Sequence, residues 1–316
     1  MTTIHFANVY KQYSNAPRPA VDGVDFEVAE GSFVVLLGPS GCGKTTLLKM
    51  VNRLIEPTSG TIWLGGQDIR QVEPVQLRRQ IGYVIQQIGL FPHMSVAQNV
   101  AVVPSLLGWE PERIRQRVDA LLELVDLPPD EYRERYPAQM SGGQRQRVGV
   151  ARALAGDPGL ILMDEPFGAV DAITRTGLQN ALLDLQRKLK KTILFVTHDV
   201  EEALRLADRI VVMRAGKVVQ YDAPFDLLRR PADEFVHALI GADDIVRQLS
   251  MLRVAAAMEP IPPHFQPDGH PTVSCDENLR QALSLLLRTD QHALIVLEQD
   301  KPIGLLTLRG IQLTAG

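Results

Sequence analysis

Ser32-Phe33-Val34-Val35-Leu36-Leu37-Gly38-Pro39-Ser40-Gly41-Cys42-Gly43-Lys44-Thr45-Thr46 decides the fold. Residues 32–37 are an apolar run of the kind a strand buried on both faces needs. Residues 45–54 have helical composition, ending before the turn Pro57-Thr58-Ser59-Gly60. Between them, residues 38–45 fit the pattern G-x-x-x-x-G-K-[ST] in the strand, turn and helix setting that pattern requires. Small residues let main-chain N–H groups approach phosphate oxygens, and the helix amino terminus adds positive potential. Lys44 neutralises charge and the Thr45 hydroxyl suits Mg²⁺.

Outward from this turn, residues 4–10 and 24–28 read as strands. Residues 160–163 and 193–197 are two more apolar runs, each preceded by a helical pattern, at 144–155 and 176–189. Strands alternating with helices predict a parallel α/β sheet, with ligands at the strand carboxyl ends. Leu160-Ile161-Leu162-Met163 runs into Asp164 and Glu165 at such an end. Asp164 is thereby predicted near the metal of the phosphate turn, holding it directly or through water, and Glu165 is placed to polarise an attacking water. Met140-Ser141-Gly142-Gly143-Gln144 opens another helix. Ser141 is a natural cap and the glycines leave the helix amino terminus bare, a second anion site on the same chain.

Composition narrows the class. The 316 residues suggest about two domains, and 33 Lys and Arg against 37 Asp and Glu, net −4, argue against a strongly basic nucleic-acid binder. Only Cys42 and Cys275 occur, so no disulfide framework is expected and a reducing compartment is the natural reading. Met1-Thr2-Thr3-Ile4-His5 shows neither a basic segment nor an apolar run, so no signal peptide is expected. Residues 80–109 contain no Asp, Glu, Lys or Arg, yet Gln86, Gln87, Pro92, His93, Gln98, Asn99 and Pro104 speak against a membrane span. Two readings stay open for this stretch: a surface that packs on another protein, or an uncharged interior loop and helix. An amphipathic helix follows over 110–127, with Ile114, Val118, Leu121, Leu122 and Val125 on one face.

With both anion sites in order along the chain, residues 4–239 resemble the ATP-binding cassette (ABC) family. The family signature Leu-Ser-Gly-Gly-Gln is matched at 140–144 with Met140 in place of Leu. The resemblance implies an α/β, RecA-like P-loop NTPase fold: a mixed sheet with an antiparallel β subdomain and a helical signature subdomain at about 88–155, within a domain spanning 1–240. It implies ATP contacts from Tyr13, which would stack on adenine, and from Gly38, Pro39, Ser40, Gly41, Cys42, Gly43, Lys44, Thr45 and Thr46. Ser141, Gly142, Gly143 and Gln144 would cover the ATP of a partner subunit, and Asp171 would sit in the loop that communicates across the dimer. Val170 replaces the usual Leu of that loop. Catalytic roles fall to Glu165, His198, Gln86 and Lys44, and Mg²⁺ ligation to Thr45, Gln86 and Asp164. Gln87 rivals Gln86 for its role, and by residue type alone Tyr13 reads first as a core or surface aromatic.

Residues 49–60 and 81–94 resemble more closely the ATPase subunits of bacterial importers for glycine betaine, choline, carnitine or proline betaine. That resemblance implies a homodimer with ATP and Mg²⁺, bound to two integral-membrane permease subunits and served indirectly by a substrate-binding protein. It would lie at the cytoplasmic face of the cell membrane, and the uncharged stretch would receive a permease helix. The alternatives are an ABC ATPase without a membrane partner, an importer subunit for a different solute, and a nucleotide sensor that reads through its tail.

A proline-dense stretch, Pro260-Ile261-Pro262-Pro263 with Pro267, reads as a linker in a second domain spanning 241–316. Beyond it come a strand at 272–274, a helix at 277–288 with Leu279, Ala282, Leu283 and Leu286 on one side, and strands at 293–297 and 303–306. This tail is similar to a single cystathionine-β-synthase-type (CBS) motif, a small α+β module for regulation or dimerisation. Gly304-Leu305-Leu306-Thr307-Leu308-Arg309-Gly310 follows the adenosine-binding pattern Gly-x-x-Thr-x-x-Asp except that Gly310 replaces the acid, which argues against nucleotide binding by the tail.

Overall fold

The computed structural model describes residues 2–85, 89–168, 170, 172–262, 270–289 and 291–315. They form two compact units, Met1–Ala223 and Pro224–Gly316. Strands of the first unit are β1 (Ile4–Lys11), β2 (Val21–Val28), β3 (Phe33–Leu37), β4 (Ser59–Leu64), β5 (Gln67–Asp68), β6 (Ile81–Val84), β7 (Leu160–Asp164), β8 (Thr192–Thr197), β9 (Arg209–Arg214) and β10 (Lys217–Asp222). Its helices are α1 (Lys44–Val51), α2 (Pro74–Arg79), α3 (Val96–Leu106), α4 (Pro111–Leu124), α5 (Pro129–Tyr132), α6 (Gly142–Ala155), α7 (Ala172–Leu189) and α8 (Val200–Leu206).

Six strands form the central sheet in the order β10-β9-β3-β8-β7-β6, parallel except for the β9–β10 hairpin. Every residue of β3, β7 and β8 is buried, as expected of parallel strands covered on both faces. Because β8 lies between β3 and β7, the turns leaving these three strands emerge side by side at one edge. That neighbourhood brings residues 38, 165 and 198 together from distant parts of the chain.

A second, antiparallel sheet has the order β2-β1-β4-β5. Its strands show one-sided alternation: Ile4, Phe6 and Val9 of β1 are buried with Val24, Phe26 and Val28 of β2, and the Phe6 and Phe26 rings stack at 4.5 Å. β2 starts three residues before the expected Val24, because Gly23 at φ +63° interrupts the apolar pattern that the reading follows. Its pairing nevertheless continues to Val21, opposite Lys11.

Helices α3 to α6 make the expected helical subdomain, α6 packing on both α3 and α4. Val118, Leu121 and Leu122 are the buried stripe of α4. The uncharged stretch divides between the two readings. Val96, Asn99, Val100 and Pro104 are buried, while Phe91, Leu106 and Leu107 are exposed. Asn99 is fully buried and anchors the preceding loop: its Oδ1 accepts from the Phe91 N–H at 2.8 Å and its Nδ2 donates to the Phe91 and Met94 carbonyls, each at 3.1 Å.

The second unit contains α9 (Pro224–Arg229), α10 (Glu234–Ile240), α11 (Ile245–Met251), β11 (Thr272–Ser274), α12 (Leu279–Thr289), β12 (Ala293–Glu298), β13 (Lys301–Thr307) and α13 (Leu308–Ala315). A sheet of order β11-β12-β13 carries a core of Val254, Val273, Leu279, Leu286, Leu294, Val296 and Leu306. The unit begins 17 residues before position 241, the expected start of the second domain. The helices α9 and α10 have the ordinary amphipathic composition of the first unit, so no compositional step marks the change. Part of the proline-dense stretch, residues 263–269, lies outside the described residues. Among the described residues no helix is long and apolar enough to cross a membrane.

Candidate active site

The turn after β3 is built on two glycines that no other residue can replace. Gly38 has φ +152° and a Cβ there would lie 2.3 Å from the Met213 carbonyl oxygen; Gly43 has φ +109° and its Cβ would meet the Ala20 oxygen at 2.2 Å. The turn is therefore pressed between β9 and the loop joining β1 to β2. Its apex, Pro39, Ser40 and Gly41, remains exposed, while Cys42, Gly43 and Lys44 are buried. The Lys44 ammonium donates to the Gly38 and Pro39 carbonyls at 2.7 and 3.0 Å, so the positive charge is held inside the turn that wraps it. No side chain caps α1, and no acid lies in its first turn. Its leading N–H groups and partial positive charge are thus offered to an anion. Thr46 is half-buried in that first turn.

Thr45 Oγ1 donates to Asp164 Oδ1 at 2.8 Å, joining the start of α1 to the end of β7. Burial pushes the Asp164 carboxyl up from its ordinary 3.8, and the Thr45 hydrogen bond works against it. A hydroxyl and a carboxylate side by side form an oxygen donor set that fits Mg²⁺, and a cation there would reverse the cost of ionising the buried acid. Gln86, the third expected ligand, lies outside the described residues, as do its rival Gln87 and the dimer-loop residue Asp171.

Glu165 leaves β7 in a left-handed conformation, φ +46°, with its N–H bonded to the Val196 carbonyl at 3.0 Å. This turns its carboxylate toward the end of β8, where Glu165 Oε1 and His198 Nδ1 are 3.2 Å apart. The acid and the histidine read separately from sequence are one pair. Tyr13 is exposed, with the Lys11 ammonium 5.3 Å from its ring centroid, and the loop it opens runs on to Ala20 beside Gly43.

The signature segment caps itself more completely than sequence shows. Ser141 Oγ accepts from the Gln144 N–H at 3.2 Å, and Gln144 Oε1 accepts from the Ser141 N–H at 2.9 Å, a reciprocal capping box. Gln144 Nε2 also reaches Tyr132 Oη at 3.0 Å. Helix geometry leaves the N–H groups of Gly142 and Gly143 without intrahelical acceptors, so these two lead the second anion-binding end. Two polar residues beside the site were missed: Asp199, which caps α8, and Arg175, which reaches it. An Asp directly before the apolar start of a helix is a readable cap signal; Arg175 carries none.

A family model described as "ABC transporter" matches residues 21–168, and a model described as "CBS domain" matches 261–312. The "Glycine betaine/carnitine/choline transport ATP-binding protein OpuCA" of Bacillus subtilis is 50% identical over 293 residues, covering 92% of this chain and 74% of that protein. The chain belongs to the ABC transporter family. Within that family, the "Glycine betaine uptake system ATP-binding protein YehX" of Escherichia coli is 46% identical, with 99% of this chain and 100% of that protein covered. The "Osmoprotectant import ATP-binding protein OsmV" of Salmonella typhimurium is also 46% identical, over 99% and 81%. Among solved ABC transporter cassettes, a dimeric post-hydrolysis state of MJ0796 bound to ADP and Pi has a TM-score of 0.64 at 32% identity, covering 70% of this chain and 98% of that one. The chain is thus an ATP-binding ABC ATPase with a CBS domain after the cassette in sequence.

Proposed function

We propose that this chain is the ATP-hydrolysing motor of an importer for quaternary amine osmoprotectants such as glycine betaine, choline, carnitine or proline betaine. It works as a homodimer, bound to two permease subunits at the cytoplasmic face of the cell membrane and fed indirectly by a substrate-binding protein. The names of the relatives supply the solute class. The observation that carries the motor reading is the pairing of Thr45, at the start of α1, with Asp164 and of Glu165 with His198, at 2.8 and 3.2 Å, where β7 and β8 end beside the turn after β3.

ATP phosphates take the loop N–H groups and Lys44, with Tyr13 against the base. Thr45 and Asp164, with Gln86, would hold Mg²⁺, which would neutralise phosphate charge there. Glu165 accepts a proton from water as the water oxygen bonds to the γ-phosphorus. The bond to the bridging oxygen breaks, its electrons leave with ADP, and phosphate is released. His198 orients Glu165 and contacts the γ-phosphate. The partner's Ser141 helix end closes over the same phosphates. Closure moves the permease because ATP binds the closed dimer more tightly than the open one, the general condition for a ligand to shift a conformational equilibrium.

Membrane fractionation tests the reading. The chain is expected in the membrane fraction only when its permease is co-expressed, and the co-purifying binding protein is expected to retain quaternary amines in a binding screen. A chain that stays in the soluble fraction regardless of permease, or a binding protein that takes another solute class, overturns it.

A further inference from the structure

One side chain joins the turn after β7 to the turn after β8, and it belongs to none of the motifs above. Arg175, in the first turn of α7, donates from Nη2 to the Val170 main-chain carbonyl at 3.1 Å and sets Nη1 3.4 Å from Asp199 Oδ2. Asp199 directly follows His198. Its other oxygen, Oδ1, accepts the Glu202 N–H at 3.2 Å, and its own N–H donates to Thr197 Oγ1 at 3.0 Å. On the remaining side His198 meets Glu165 at 3.2 Å, and the Glu165 carbonyl accepts the Gly168 N–H at 3.2 Å, two residues before Val170 in sequence.

The result is a closed ring of contacts, Val170–Arg175–Asp199–His198–Glu165. A second tether one turn along α7, Gln179 Nε2 to Glu202 Oε1 at 3.1 Å, fixes α7 against α8 independently of the arginine. Arg175 spends its fork on two acceptors while its Nε is buried with none.

We propose that Arg175 is a positioning residue for hydrolysis. Its guanidinium makes the turn through Val170 and the His198–Asp199 turn one mechanical piece, so the Glu165–His198 pair keeps its alignment and feels the state of the loop at Val170. A fork with two separated donor ends spans a carbonyl and a carboxylate at once, which a lysine ammonium does not. The inference rests on the hydrolytic reading above.

Steady-state ATPase assays on the full chain test it, alongside nucleotide binding and thermal unfolding. Arg175→Ala is expected to lower kcat on the order of 10- to 100-fold, the usual effect of a misplaced catalytic group, with KM and ATP affinity within about twofold. Asp199→Asn keeps the α8 cap, since Asn caps as well as Asp, but loses the ion pair, and is expected to lower kcat similarly. The double variant is expected to be no slower than the slower single one, the non-additive pattern of residues acting as a unit. Arg175→Lys is expected to recover part of the loss. Wild-type kcat in Arg175→Ala, additive losses in the double variant, or a fall in ATP affinity and unfolding temperature as large as the fall in kcat overturns the proposal. Absence of turnover in the unmodified chain overturns the hydrolytic reading and this inference with it; normal turnover in Arg175→Ala overturns this inference alone.

Discussion

Glu165 shows how much this site invests in one residue. A non-glycine side chain at φ +46° costs about 1–3 kcal/mol and persists only where the surroundings impose it. Here the Val196 carbonyl fixes its N–H and the Gly168 N–H fixes its carbonyl. That conformation turns a strand-end acid toward His198. Glu165→Gln keeps volume and backbone but removes the proton acceptor. It is expected to bind ATP normally through Lys44 and Thr45, and to lose about 10²- to 10⁴-fold in phosphate release, the usual worth of a general base. Stopped turnover with intact nucleotide binding supports the role; unchanged phosphate release removes it. The placement of Lys44 and Thr45 was legible from a fixed local spacing, and that of Asp164 from its position at the end of an apolar strand. Arg175 was not, because its partners are a main-chain oxygen and an acid 24 positions away. Gly310 was legible as a missing acid, and the fold supplies a reason: a Cβ there would lie 2.7 Å from the Ala257 carbonyl oxygen.

At the scale of elements, the buried strands were read almost to the residue because an unbroken apolar run has one interpretation beside a glycine turn. Helix starts were read less well. The helix α7 begins four residues before the expected Thr176. The short helix α8 holds a different consequence. Glu202 is buried against Gln179 and Thr197, and burial pushes its carboxyl above the ordinary 4.5, the hydrogen bonds only partly offsetting it. The folded state therefore binds this proton more tightly than the unfolded chain does. Between about pH 4.5 and the raised value, the folded protein carries more of this proton, so stability falls as pH rises through that window. Above it the ionised, desolvated carboxylate weighs in full. Glu202→Gln keeps an oxygen for Gln179 and carries no charge. Its unfolding temperature is expected to drop less than that of the unmodified protein when pH is raised from about 5 to about 8. Equal drops in the two proteins would show that Glu202 does not titrate in this way.

At the scale of the whole molecule, each chain presents two helix ends that the proposed function assigns to phosphate, and each has its own local partners. The Lys44 turn is packed on β9 and the loop before β2, while Ser141 is tied to Gln144 and, through it, to Tyr132. A two-fold pairing that sets each turn against the opposite Ser141 makes two composite sites from one interface. Ser141→Arg puts a cation and bulk where phosphate should dock, and loses a cap worth about 0.5–2 kcal/mol, less than the stability of an ordinary domain. The variant is expected to fold, to bind ATP at its own Lys44 turn, and to lose at least roughly 100-fold in hydrolysis, as losing a helix-end oxyanion donor does. Lys44→Ala is expected to lose ATP at its own turn while keeping an intact Ser141 end. Each variant alone is inactive for a different reason, and mixing them separates a shared site from a private one. A mixed dimer joins the Lys44 turn of the Ser141→Arg chain to the intact Ser141 of the Lys44→Ala chain. On random pairing, roughly one quarter of all sites are then complete. Phosphate release that reappears on mixing two inactive proteins requires the nucleotide to lie between chains. If the mixture stays as inactive as its parts while both variants still fold and pair, each site is built from one chain, and the dimeric motor is the wrong description.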